Sequence, residues 1–133
     1  MAAQRPFRND RILSDWENAS RLFAPLSRER VEIAAFAYLA ADRRMLALRY
    51  TRSRRADLVD LPLRRIVSDA LAFGASGLVI GHNHPRGSSA PSRADIDATR
   101  LLARTLRPLE IAVLDHLVVA SDGIASFRVM GLL

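Results

Sequence analysis

His82-Asn83-His84-Pro85-Arg86-Gly87-Ser88-Ser89-Ala90-Pro91-Ser92-Arg93-Ala94-Asp95 joins an apolar run, Gly77-Leu78-Val79-Ile80, to a helix start at Ser92. The run reads as a buried strand and the serine after a proline as a cap. Two of the three histidines are therefore two residues apart at a strand end. In extended backbone, residues i and i+2 share a face with alpha carbons roughly 6–7 Å apart, so both imidazoles can converge on one ion. Asp95, in the first helical turn, supplies a carboxylate oxygen. Three protein ligands with a fourth position left for water are the mark of a catalytic zinc site rather than a structural one. His82, His84 and Asp95 are the expected ligands of a Zn²⁺ ion.

With 133 residues the chain has the size of one domain, enough for a single continuous core. It is 50% hydrophobic and 26% charged, ordinary for a globular protein. No apolar run approaches a bilayer span, and Met-Ala-Ala-Gln-Arg-Pro is followed by no hydrophobic signal core, so a cytoplasmic address without membrane contact is expected. Cysteine is absent, which excludes disulfides, thiolate nucleophiles and cysteine-ligated zinc.

The net charge of +6 directs attention to Arg43, Arg44, Arg49, Arg52, Arg54, Arg55, Arg64 and Arg65. Nucleic acid is the obvious acidic partner for such a segment. However, all 20 basic residues are arginine, which is as consistent with a codon bias as with selection for phosphate contacts. Tyr50 is the only aromatic residue within the segment, so no base-stacking platform is visible. A solvated face with weak, salt-sensitive nucleic-acid binding is the favoured reading.

Working outward, residues 10 to 24 carry Ile12, Leu13, Trp16, Ala19, Leu22 and Phe23 at helical spacing, with Trp16 as the expected core anchor. Residues 32 to 40 and 45 to 50 read as a β-hairpin whose first strand is central, and Leu58-Val59 as a short strand. A helix from Pro62 to Phe73 is closed by Gly74, and another runs from Ser92 to about Leu106. Ile111 to Ala120 is a long strand, turned at Ser121-Asp122-Gly123 into Ile124 to Val129. The order predicts a mixed sheet flanked by helices, of the α/β or α+β class.

His82-Asn83-His84-Pro85, Gly87, Pro91-Ser92, Asp95, Thr99, Leu114-Asp115-His116, Ser126-Phe127 and Gly131-Leu132-Leu133 together resemble the RadC-like branch of the JAB/MPN metalloprotease superfamily. Its JAMM signature is a glutamate followed at a distance by H-x-H-x7-S-x2-D, and His82, His84, Ser92 and Asp95 meet the spacing in full. The resemblance covers residues 28 to 133, leaving 1 to 27 as an N-terminal helical extension, and implies the layered architecture shared with cytidine deaminases. Deaminase chemistry itself needs a Pro-Cys-x-x-Cys element and is excluded.

The resemblance also implies roles. The family glutamate, seven residues before the leucine that opens the hairpin turn, falls on Glu32 if that leucine is Leu39; Glu29 is the alternative, in a polar run that suits a turn. Glu32 would act as general base and Ser92 as oxyanion donor beside a Zn²⁺ held by His82, His84 and Asp95, in cleavage of an amide bond of a peptide or protein substrate. Each residue also has a quieter reading. Ser92 and Asp95 alone form a helix-capping pattern. His116 is a core or outer-sphere group as readily as a ligand, and Thr99 either orients Asp95 or lies on the surface.

The chain departs from the family pattern at Pro85-Arg86-Gly87-Ser88-Ser89, where the loop commonly reads Pro-Ser-Gly-Asp-Pro, and at Leu63-Arg64-Arg65, where Pro-Arg-Glu is common. The helix-hairpin-helix-like region of full-length relatives is also missing from it. Three functions are expected in order: a zinc peptidase or isopeptidase, a non-catalytic MPN scaffold, and a DNA-associated factor. No residue pattern marks an oligomeric state.

Overall fold

The computed structural model describes residues 16–52 and 61–133. Five strands form one mixed sheet in the order β2-β1-β3-β4-β5, with β1 at Ile33–Leu39, β2 at Met45–Arg52, β3 at Gly77–Asn83, β4 at Ala112–Ala120 and β5 at Gly123–Ser126. β3 and β4 are parallel, and every other pair is antiparallel. The expected hairpin and its central first strand are both present. Leu58-Val59 and residues 10 to 15 lie outside the described residues.

β1 is apolar at every position because both its faces are covered. Ile33, Ala35, Ala37 and Leu39 pack with Val79, Leu117 and Val119 against α1 (Trp16–Phe23) and the tight turn that follows it. Ala34, Phe36 and Tyr38 pack with Leu78 and Ile80 against α2 (Leu63–Phe73) and α3 (Arg93–Leu106). The result is three layers around one sheet. The segment expected as an N-terminal extension thus supplies Ala19 and Phe23 from its helix and Leu26 from the turn after it to the core.

Gly74 closes α2 in the left-handed region at φ 66°, donating its N–H to Ala70 and Leu71, as the position of a glycine after the last apolar residue predicts. Two expectations are corrected. Trp16 is not a core anchor: it is 42% exposed, because the helix turns its Ala19 and Phe23 inward instead. The last strand ends at Ser126 rather than Val129, since Ser126 Oγ is tied to Asp115 Oδ2 at 2.6 Å and the chain turns at Phe127. No helix among the described residues is long and apolar enough to cross a membrane.

Candidate metal centre

Strand alternation puts His82 on the α3 side of β3, with Leu78 and Ile80. His84 keeps the extended path because its N–H donates to Val119 of the parallel neighbour at 2.9 Å. Both rings therefore face the start of α3. That start is a complete capping box: Asp95 N–H donates to Ser92 Oγ at 3.0 Å, and Ser92 N–H donates to Asp95 Oδ2 at 2.9 Å. The capping role of Ser92 and Asp95 is thus present, and it leaves Asp95 in a cluster that could hold a metal ion. Capping aims the carboxylate back at the histidines.

Glu32 precedes β1 and is 4% exposed. The β1–β3 register pairs Ala34 with His82, so continuing it one alternation outward brings Glu32 opposite His84. Its Oε1 is 4.0 Å from His82 Nε2. Of the two glutamates left open, Glu29 is exposed and Glu32 lies inside the cluster. Asn83, which sequence reasoning passed over, secures this segment. It points away from the histidines, accepts Ile33 N–H at 2.6 Å and donates to the carbonyls of Val31 at 2.9 Å and Glu29 at 3.3 Å. A buried asparagine between two histidines is the signal that could have found it, because its amide must be satisfied somewhere.

Ligand atoms of Glu32, His82, His84 and Asp95 all lie within 4.8 Å of one another. His82 Nε2 and His84 Nε2 are 2.9 Å apart; Asp95 Oδ2 is 3.1 Å from the second and 3.4 Å from the first. A tetrahedral ion with ligands at about 2.0–2.1 Å spaces them roughly 3.3 Å apart. The three observed edges bracket that value, whereas Glu32 Oε1 stands farther off, 4.0 Å from His82 Nε2. His84 Nδ1 faces the Ser88 carbonyl at 2.8 Å, which can only accept, so in the neutral ring that nitrogen carries the proton and Nε2 offers a lone pair. Asp95 Oδ1 is buried with no hydrogen-bond partner among the described residues. Lone pairs and two carboxylates gathered out of water fit a divalent cation.

The electrostatics agree. Burial pushes His82 below its ordinary pKa against the raising pull of Asp95. The hydrogen bond to Asp95 raises His84, with burial opposing it. Burial alone would raise the Asp95 carboxyl, but the facing histidines and the Ser92 N–H hold it well below the usual carboxylate range. Asp95 is therefore ionised.

His116 is not in the cluster; it stands behind it. Its Nε2 lies 2.6 Å from His82 Nδ1, its Nδ1 lies 2.7 Å from Thr99 Oγ1, and its ring stacks on Phe127 with centroids 4.4 Å apart. Thr99 is buried, not on the surface, and it bonds the main-chain oxygen of Asp95 at 2.7 Å rather than the carboxylate. Asp115 turns away, accepting from Ser126 Oγ and from the N–H groups of His116 and Arg128.

The sequence model of the RadC-like JAB domain matches residues 13–132. A UPF0758 protein of Neisseria meningitidis serogroup B is 36% identical over 123 residues, covering 92% of this chain and 55% of the relative. UPF0758 proteins of Cupriavidus taiwanensis and Bordetella petrii are 49% and 47% identical over 63 and 70 residues, which is 47% and 53% of this chain and 28% and 31% of theirs. The chain spans about half the length of the curated relatives it matches. A mixed sheet between helical layers, a four-group cluster at the end of its inner strands and these matches agree: the chain belongs to the RadC-like JAB domain family.

Proposed function

We propose that this domain is a zinc-dependent hydrolase that cleaves an amide bond, as a peptidase or isopeptidase. The observation that carries the reading is the spacing of His82 Nε2, His84 Nε2 and Asp95 Oδ2 at 2.9, 3.1 and 3.4 Å, with a buried Glu32 4.0 Å from His82. An N₂O donor set without thiolate suits zinc in a hydrolytic role. When bound at His82, His84 and Asp95, the ion supplies a Lewis acid that polarises a carbonyl and brings the pKa of a water toward neutrality.

The remaining work falls to the chain's own groups. Glu32, out of bulk water, takes the proton of the attacking water and delivers it to the leaving amine. Ser92 Oγ already accepts Asp95 N–H, which leaves its own proton to donate to the oxyanion that develops on the substrate. The His84 side chain is 16% exposed while His82 and Asp95 are fully covered, so substrate reaches the site past His84.

The test is a panel of peptides and isopeptide conjugates offered to the zinc-loaded protein. Glu32→Gln is expected to keep its zinc and lose roughly two to four orders of magnitude in turnover. Ser92→Ala is expected to keep zinc and lose on the order of a hundredfold. Wild-type turnover in Glu32→Gln would overturn the mechanism; zinc bound with no cleavage of any panel member would favour a non-catalytic scaffold.

A further inference from the structure

We propose that His116 and Thr99 are positioning residues that fix the tautomer of His82, through a one-way chain of hydrogen bonds that starts at His82 and closes on the backbone of Asp95. The inference rests on the metal-site reading above, because it concerns which nitrogen of His82 is free to bind an ion.

The direction of the chain follows from its far end. Thr99 has a single hydroxyl proton, and the Asp95 carbonyl 2.7 Å away can only accept, so the proton lies between them. The Thr99 oxygen is then left with lone pairs alone. His116 Nδ1, 2.7 Å from that oxygen, must therefore carry its own hydrogen and donate it. The His116 ring is fully buried, lies on Phe127 and has only His82 and Thr99 against its nitrogens, with no carboxylate paired to it among the described residues, so an unbalanced charge there is costly and the neutral ring has one N–H only. Its Nε2 is an acceptor. It faces His82 Nδ1 at 2.6 Å, which places the His82 hydrogen on Nδ1 and leaves the Nε2 lone pair directed at His84 and Asp95.

Two features keep the chain from reversing. The His116 ring is fully buried and lies against Phe127 at an interplanar angle of 15°, so it cannot turn over in place. Thr99 sits one helical turn beyond Asp95, on the same face of α3, so the helix that aims the carboxylate also anchors the relay. Both protein arms of the cluster, strand β3 through His82 and helix α3 through Asp95, are thereby joined behind the site as well as in it. Outer hydrogen-bond partners of this kind typically contribute 10–100-fold in metal affinity.

The experiment is long-range ¹H–¹⁵N spectroscopy of the histidine rings in the uniformly labelled full chain, metal-free and with zinc added, together with zinc affinity by chelator competition. His82 and His116 are both expected as the Nδ1–H tautomer. Thr99→Val is expected to free the His116 tautomer and weaken zinc by about 10–100-fold. Thr99→Ser keeps the hydroxyl and is expected to restore both. An Nε2–H tautomer at His82, or a cooperatively folded Thr99→Val that binds zinc as wild type does, overturns the relay and leaves the metal reading standing. Failure of the unaltered protein to bind zinc refutes the metal reading instead, while the tautomers of the metal-free protein still decide the relay.

Discussion

Gly81→Ala puts one methyl group where the fold has no room for it. Gly81 lies in the middle of β3 on the α1 side, and an added Cβ would stand 2.5 Å from Cγ and Cδ1 of Phe23 and 2.9 Å from its Cδ2. The ring would have to retreat by about 1 Å to reach ordinary contact, and it is 1% exposed among Ala19, Leu26 and Val79. Glycine to alanine in unstrained extended backbone would by itself stabilise by about 0.4–1 kcal/mol through the unfolded chain. Overpacking typically costs about 1–3 kcal/mol, and a rigid ring met face-on belongs at the upper end. The expected net destabilisation is about 2 kcal/mol, or a fall in Tm of roughly 6–10 °C for a domain of this size. Urea and thermal unfolding followed by far-ultraviolet circular dichroism measure it; Trp16 is too exposed to report on the core. Phe23→Leu should relieve the clash, so the double variant should lose at least about 0.5 kcal/mol less than the two single losses together. A neutral or stabilised Gly81→Ala, or strict additivity with Phe23→Leu, would refute the packing of α1 on β3.

Tyr38 is fully buried, its hydroxyl has no hydrogen-bond partner among the described residues, and burial, with Asp69 adding to it, pushes its pKa up to about 12. Tyr38→Phe should therefore be neutral or stabilise by about 1 kcal/mol near pH 7. Because the raised folded-state value makes the unfolded chain ionise first, wild-type stability should fall between about pH 10 and 12, and the variant should lack that part of the fall in alkaline urea titrations. Asn83→Ala abandons Ile33 N–H and two carbonyls beside Glu32 and should cost about 2–3 kcal/mol, with faster amide exchange at Ile33. Asn83→Asp should not rescue it, since a carboxylate keeps the acceptor and repels the carbonyls. Arg43, Arg44, Arg49, Arg52, Arg64 and Arg65 are exposed, and DNA binding by fluorescence anisotropy should be weak and disappear by moderate salt. Tight, sequence-selective binding at physiological ionic strength would promote a DNA-associated role.

Which parts of the site could be read from the sequence follows from how local each constraint is. His82, His84, Ser92 and Asp95 fall within one strand end, one loop and one helical turn, so spacing alone puts them together. Glu32 depends on a strand register that pairs Ala34 with His82, 48 positions away, and no spacing rule encodes that. The relay was hidden for the same reason: His116 and Thr99 are 17 residues apart on different elements, and the acid next to His116 in sequence turns its back on the ring. Trp16 misled because an aromatic residue at helical spacing is usually inside; here the inward face of the described helix is set by Ala19 and Phe23. Alternation continued past Ser126, but a serine-to-aspartate bond took the chain out of the sheet.

Metal content, measured with its ligands, tests the central claim most directly. Protein loaded with zinc, desalted and analysed by elemental analysis and zinc-edge X-ray absorption should hold one ion per chain with two imidazole nitrogens and carboxylate oxygen in its shell. His82→Ala and Asp95→Ala should each lose the ion, and Glu32→Gln should keep it. Zinc content unchanged in both ligand variants, or a shell without two imidazoles, would contradict the account.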